Sequence, residues 1–191
     1  MPDNRDTREL ASSLIDALRR RNQSICFCES LTAGLAAATL ADVPGASDVL
    51  RGGLVTYATD LKESLARVPR DVLDAHGPVS PVTARDMARG ARKVCNADWA
   101  VAVTGVAGPT EQDGHQVGEV WVGLAGPLWT ASSSAAELVD PSLGRFALLP
   151  GVAEPVRVLA GDRARIRRSA VLAALSGALT GVREQKPARE R

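Results

Sequence analysis

Aromatic residues are scarce in this sequence: they make up 3% of its 191 residues, against 45% hydrophobic residues overall. A core must therefore be packed mainly from Ala, Val and Leu, and the sole tyrosine, Tyr57, stands out. The three cysteines, Cys26, Cys28 and Cys95, are too few and too badly spaced for a disulfide framework or a four-ligand zinc site. Cys26 and Cys28 fall on one face of a short apolar stretch and read as small buried hydrophobes. The two histidines, His76 and His115, each lie in a turn or loop, which leaves little material for a Ser-His-Asp site. Neither charge sign dominates. With 23 basic and 22 acidic side chains the net charge is +1, so no global field favours nucleic acid or an anionic membrane surface. No apolar run approaches the length of a membrane span, and the polar N-terminus carries no signal-like apolar segment. A reducing cytoplasm is the expected compartment. Phosphate-loop, dinucleotide and zinc-helix motifs are all missing.

What is present reads as one α/β domain over 1–191, long enough to bury a sizeable core without metals or disulfides. Leu10, Leu14, Ile15 and Leu18 give an amphipathic helix over Asp6 to Arg21, with Asp6 and Glu9 resembling a capping box. Ser24 to Cys28 reads as a buried strand and Thr32 to Asp42 as an Ala-rich helix that stops at Pro44-Gly45. A second strand over Leu50 to Tyr57 precedes a short helix from Thr59 to about Arg67, which Pro69 ends. Ser80 as N-cap and Pro81 at the first helical position open a further helix. Ala97 to Thr104 is the strongest buried strand, a glycine-bearing loop covers Gly105 to Gly118, and Glu119 to Leu124 returns as a strand. Residues 126–155 read as a peripheral insertion or extended hairpin, with Phe146 to Leu149 apolar enough for an extra strand. Val156 to Ala160 is a last short strand, Asp162 caps a final helix, and 183–191 form a charged tail expected to be disordered. The expected architecture is a three-layer α/β/α sandwich around a mixed, mostly parallel sheet of about five strands.

Chemistry concentrates in Glu29-Ser30-Leu31-Thr32-Ala33-Gly34, where strand gives way to helix. A hydroxyl at such a junction lies beside backbone amides available to an oxyanion or a phosphate; equally, Ser30 or Thr32 serves as a simple helix cap. A serine nucleophile needs a base. Of the three lysines, Lys62, Lys93 and Lys186, Lys62 is placed in the first turn of a helix after a buried strand, where the dipole and desolvation both disfavour the ammonium form. The alternative is an exposed lysine on a short helix. Tyr57 and Thr104, like Ser30, end strands, and strand ends in α/β sheets converge on a ligand crevice. Arg163, Arg165, Arg167 and Arg168 crowd the start of the last helix, where positive charge is unfavourable. A substrate phosphate, a partner subunit or plain solvent are the readings open there.

These motifs resemble the C-terminal domain of the CinA proteins (competence/damage-inducible), which also occurs alone as nicotinamide mononucleotide amidohydrolase. The resemblance is carried by Glu29 to Gly34, Asp42-Val43-Pro44-Gly45, Arg51 to Tyr57 with Lys62, and His76-Gly77-Pro78-Val79-Ser80. Val103 to Pro109, Val117 to Trp121 and Gly161-Asp162-Arg163 continue it. It implies that Ser30 and Lys62 form a catalytic dyad, that Tyr57 and Thr104 tune the lysine, and that Leu31, Thr32, Ala33, Gly34, Gly105 and Arg163 bind substrate. It also implies a homodimer, a pyridine nucleotide substrate, no metal and no organic cofactor. Leu31 and Ala33 stand where the family usually has Cys and Gly, Ala58 to Leu61 departs from the usual segment, and the loop after Pro109 lacks the usual glycine run. The expected reaction is hydrolysis of the carboxamide of nicotinamide mononucleotide to nicotinic acid mononucleotide and ammonia. The alternatives are a non-catalytic nucleotide-binding or regulatory domain and an amidohydrolase for a related amide.

Overall fold

A computed structural model describes residues 4–149 and 152–185. Five strands form the main sheet: β1 (Ile25–Glu29), β2 (Leu50–Val55), β3 (Trp99–Gly105), β4 (Val120–Ala125) and β5 (Thr130–Ser134). Their spatial order is β2-β1-β3-β4-β5. The first three run parallel, and β4 and β5 continue the sheet antiparallel. The sheet is therefore mixed, with its parallel half around β1. Every residue of β1 is buried, as expected for a central strand covered on both faces.

The described residues form six α-helices: α1 (Asn4–Arg20), α2 (Leu35–Ala41), α3 (Thr59–Ser64), α4 (Arg70–His76), α5 (Pro81–Val94) and α6 (Arg163–Glu184). On one face, Leu14 and Leu18 of α1, Leu40 of α2 and Ala170 and Leu175 of α6 pack with Phe27, Trp99 and Val101. On the other face, Met87, Ala88 and Ala91 of α5 pack with Cys26, Cys28, Ala100 and Ala102. The alternation of β1 and β3 side chains between these two clusters is the period-two signature of a strand inside a three-layer α/β/α sandwich. The small side chains let the layers approach closely. At Gly123 of β4 an added Cβ would run into the Ala84 carbonyl of α5.

Several elements differ from the sequence reading. Helix α1 begins at Asn4, two residues ahead of the Asp6 expected to open it. Helix α2 begins at Leu35 rather than Thr32, behind a left-handed Gly34. The short α4, held between Pro69 and Gly77, was not anticipated. The fifth strand of the main sheet is Thr130–Ser134, inside the stretch read as a peripheral insertion. Its half-exposed Thr, Ala and Ser residues suit an edge and give no apolar alternation. Val156–Leu159 (β7) instead pairs with Gly144–Ala147 (β6) in a separate two-stranded sheet. Helix α6 continues through Arg183 to Glu184, into the start of the expected tail, and is capped by Gln185; residues 186–191 of that tail, Lys186 among them, lie outside the described residues. No described helix is long and apolar enough to cross a membrane.

Candidate active site

The carboxyl ends of β1, β2 and β3 open into one cavity of about 190 Å³, the place where a parallel sheet exposes its strand ends to a ligand. Ser30 enters it directly after β1. Its amide donates to the Val103 carbonyl of β3 at 2.9 Å, so the position of the residue is fixed by the sheet. Lys62 enters from α3 and is 2% exposed. Its Nζ lies 3.0 Å from Ser30 Oγ and donates to the Thr56 carbonyl, also at 3.0 Å. A neutral amine satisfies both contacts at once, since an N–H serves Thr56 and the lone pair faces the Ser30 hydroxyl.

Burial pushes the Lys62 ammonium down from its ordinary 10.5 to about 8, while the neighbouring Cys28 acts weakly in the other direction. Helix α3 is only six residues long, so its dipole adds little to what burial does, in contrast with the sequence expectation. The same burial pushes the Cys28 thiol up to about 11. Cys28 is thus a neutral neighbour of the lysine.

The segment after Ser30 is not a simple cap. Glu29, 1% exposed, turns its carboxylate onto the first amides of α2 and accepts from Ala36 N at 3.0 Å and Ala37 N at 2.9 Å. A carboxylate on these amides satisfies orphan donors and complements the helix dipole. Neither Ser30 nor Thr32 caps α2, and these helix amides are not available to a substrate oxyanion. Among the described residues, the amides of Leu31, Thr32 and Gly34 have no acceptor.

The other expected residues fall into two groups. Leu31, Tyr57, Thr104, Gly105 and Arg163 line the cavity; Thr32, Ala33 and Gly34 do not. Ala33 is exposed, with a left-handed φ of 52°, so its methyl does not narrow the cavity. Thr104 donates to the Pro78 carbonyl at 2.7 Å, tying the end of β3 to the segment before α5. The Tyr57 hydroxyl accepts from Arg163 Nη2 at 2.8 Å, and Arg163 Nη1 donates to the Gly108 carbonyl at 2.7 Å. Neither Tyr57 nor Thr104 bonds to Lys62 among the described residues, so any effect on the lysine passes through the shape of the cavity. Sequence reading missed the Thr56 carbonyl, the Glu29 carboxylate and residues 110–112 in the wall. No sequence signal marks a main-chain acceptor such as Thr56. Among the described residues, no group of three or more His, Cys, Asp or Glu side chains is placed to hold a metal ion.

Residues 7–138 match the family model described as the CinA C-terminal domain. The chain belongs to this family. A putative competence-damage inducible protein of Streptococcus thermophilus is 44% identical over 120 residues, 63% of this chain and 28% of that protein. One from Listeria welshimeri is 43% identical over 108 residues, 56% of this chain and 26% of that protein. The chain thus spans little more than a quarter of these CinA relatives. Among solved structures, competence damage-inducible protein A of Klebsiella pneumoniae aligns with a TM-score of 0.79 at 26% identity, covering 94% of this chain and 99% of that one. The competence/damage inducible protein of Agrobacterium tumefaciens aligns at 0.77 and 28% identity, covering 94% and 96%. Structural similarity at 94% of the chain therefore extends well beyond residue 138.

Proposed function

We propose that this CinA domain hydrolyses the carboxamide of nicotinamide mononucleotide, with Ser30 as nucleophile and Lys62 as base. The observation that carries the reading is the 3.0 Å approach of Lys62 Nζ to Ser30 Oγ inside a buried pocket. Lys62, neutral, accepts the Ser30 proton as Oγ attacks the amide carbon. The carbonyl oxygen becomes an oxyanion facing the free amide of Leu31, the residue after Ser30 that lines the cavity. Collapse of this intermediate breaks the C–N bond, and the Lys62 ammonium returns its proton to the departing nitrogen as ammonia. Water then attacks the Ser30 ester and releases nicotinic acid mononucleotide. The substrate is supported by the resemblance of the Glu29 to Gly34, Arg51 to Lys62 and Val103 to Pro109 motifs to the amidohydrolase branch of the family. The cavity has room for a carboxamide-bearing ring, with the rest of a nucleotide extending toward Arg163 at the rim. We further propose a cytoplasmic homodimer, which sedimentation of the purified chain tests.

The reaction is tested by incubating the protein with the mononucleotide and assaying ammonia and the nicotinic acid product together. Release of both in equal amounts supports the proposal. Saturable binding without release sinks it in favour of a regulatory nucleotide-binding domain.

A further inference from the structure

The arginines at the start of α6 occupy turns where the helix dipole disfavours positive charge, and two of them are matched by backbone carbonyls. Arg163 holds Gly108 across the cavity rim. Arg167, four residues on and on the same helix face, donates from Nε to the Leu31 carbonyl at 3.0 Å and from Nη2 to the Thr32 carbonyl at 2.8 Å. Both carbonyls belong to the turn that immediately follows Ser30.

That turn has few other restraints. It is closed by two main-chain bonds, from Ala33 N to the Ser30 carbonyl at 3.1 Å and from Leu35 N to the Thr32 carbonyl at 3.2 Å, so among main-chain bonds the Leu31 carbonyl is left to Arg167. Ala33 adopts a left-handed φ of 52°, which is costly for a residue with a Cβ. The buried Thr32 hydroxyl has no partner among the described residues, so it does not hold the turn. Glu29 restrains the following helix, leaving the Leu31 and Thr32 amides as the unpaired donors next in chain to the Ser30 hydroxyl.

Peptide geometry connects Arg167 to these donors. A trans peptide is planar, with its carbonyl and N–H pointing in opposite directions. The Leu31 carbonyl faces Arg167, so the Thr32 N–H in the same plane faces away from α6. A guanidinium on the carbonyl also polarises that peptide and strengthens its N–H as a donor. We propose that Arg167 is a positioning residue for the oxyanion-binding turn: it fixes the Leu31–Thr32 peptide and, through the Leu31 Cα, the free amide of Leu31, which lines the cavity, before charge develops on the substrate oxygen. Arg167 does not line the cavity and acts only through that turn. This deepens the proposed reaction and rests on it for Ser30 as the nucleophile.

The test compares wild type with Arg167→Ala and Arg167→Lys. The lysine variant keeps the charge and most of the stem but cannot span two carbonyls as a planar fork, and thermal melting establishes that each variant is folded. Two rates are measured. One is ammonia release from the mononucleotide; the other is labelling of Ser30 by an alkyl fluorophosphonate, followed by mass spectrometry. In labelling, Ser30 Oγ bonds to phosphorus, fluoride leaves, the serine proton passes to Lys62, and the phosphoryl oxygen takes the place of the substrate oxygen. Both rates fall in the variants, by up to the roughly 10²–10³-fold that loss of an oxyanion donor costs, while KM and the pH midpoint stay at the wild-type values. A merely structural role gives a different pattern. Water admitted to a loosened cavity raises KM and moves the midpoint upward. That pattern overturns the proposal, as does a folded Arg167→Lys that is labelled as fast as wild type. If wild type releases no ammonia from the mononucleotide yet labelling slows in the variants, the substrate reading fails and the role of Arg167 stands. If wild type turns the nucleotide over and the variants match it in both rates, the substrate reading stands and the role of Arg167 fails.

Discussion

Removing the amine at position 62 changes how both activity and stability depend on pH, and the size of the effect follows from the burial of Lys62. Its ammonium is lowered from 10.5 to about 8. At pH 7 about one molecule in ten therefore carries the neutral base, against about three in ten thousand at the ordinary value. The rate constant kcat/KM should rise about tenfold per pH unit below 8 and level off above it. Stability carries the same signature. Between pH 8 and 10.5 the unfolded chain holds a proton on Lys62 that the folded chain has released, so stability rises with pH across this window. Below pH 8 both states are protonated and the folded state bears a constant penalty of about 3 kcal/mol for the buried charge. Lys62→Met removes that penalty at every pH and also leaves the Thr56 carbonyl without its donor, an offset that does not depend on pH. The informative quantity is thus the slope. Urea unfolding of wild type and Lys62→Met at a series of pH values from 7 to 10.5 should show the two stabilities converging or crossing by about 3 kcal/mol. Parallel curves, or a kcat/KM midpoint near 10, would refute the reasoning.

Other substitutions probe the frame around Ser30 and Lys62. Glu29→Ala strips two charge-assisted bonds from the start of α2 and should lower stability by about 2–3 kcal/mol, read as a lower urea midpoint. Gly123→Ala places a Cβ against the Ala84 backbone of α5; destabilisation of at least about 1–3 kcal/mol is expected in thermal melts, and an unchanged melting temperature would mean that β4 and α5 pack less closely. Thr104→Val keeps the shape of the side chain but leaves the Pro78 carbonyl unpaired. It should cost about 1–3 kcal/mol and leave the pH midpoint of kcat/KM in place, whereas a shifted midpoint would show that the threonine acts on Lys62 directly.

The parts of the fold visible in the sequence are those built from contiguous signals. The uninterrupted apolar runs of β1 and β3 and the Ser80-Pro81 start of α5 each lie within a few residues, and all three elements form as expected. Strand β5 escaped because an edge strand faces solvent and needs no apolar alternation, so Thr130 to Ser134 carries none. The start of α2 was placed three residues early because its cap comes from Glu29, seven residues ahead of Ala36, not from a neighbouring Ser or Thr. In the site, Ser30 at a strand end and Lys62 on the helix after β2 were legible as candidates, with a simple cap and an exposed lysine as the alternatives, and the structure brings the two side chains within 3.0 Å. Thr104 was placed correctly at the end of a strand, while Tyr57 lies two residues past the end of β2; their partners, Pro78 and Arg163, are 26 and 106 residues away. Arg167 shows the same limit. Its charge at a helix start left an anion, a partner subunit or solvent open, and the backbone carbonyls that occupy it come from 136 and 135 residues earlier.

The most direct test of the dyad is the rate of ammonia release from nicotinamide mononucleotide by wild type and Ser30→Ala under identical conditions. The account predicts that kcat falls by at least about 10³-fold, while binding of the mononucleotide is retained because Ser30 is one small part of the cavity wall. Undiminished release by Ser30→Ala would contradict it.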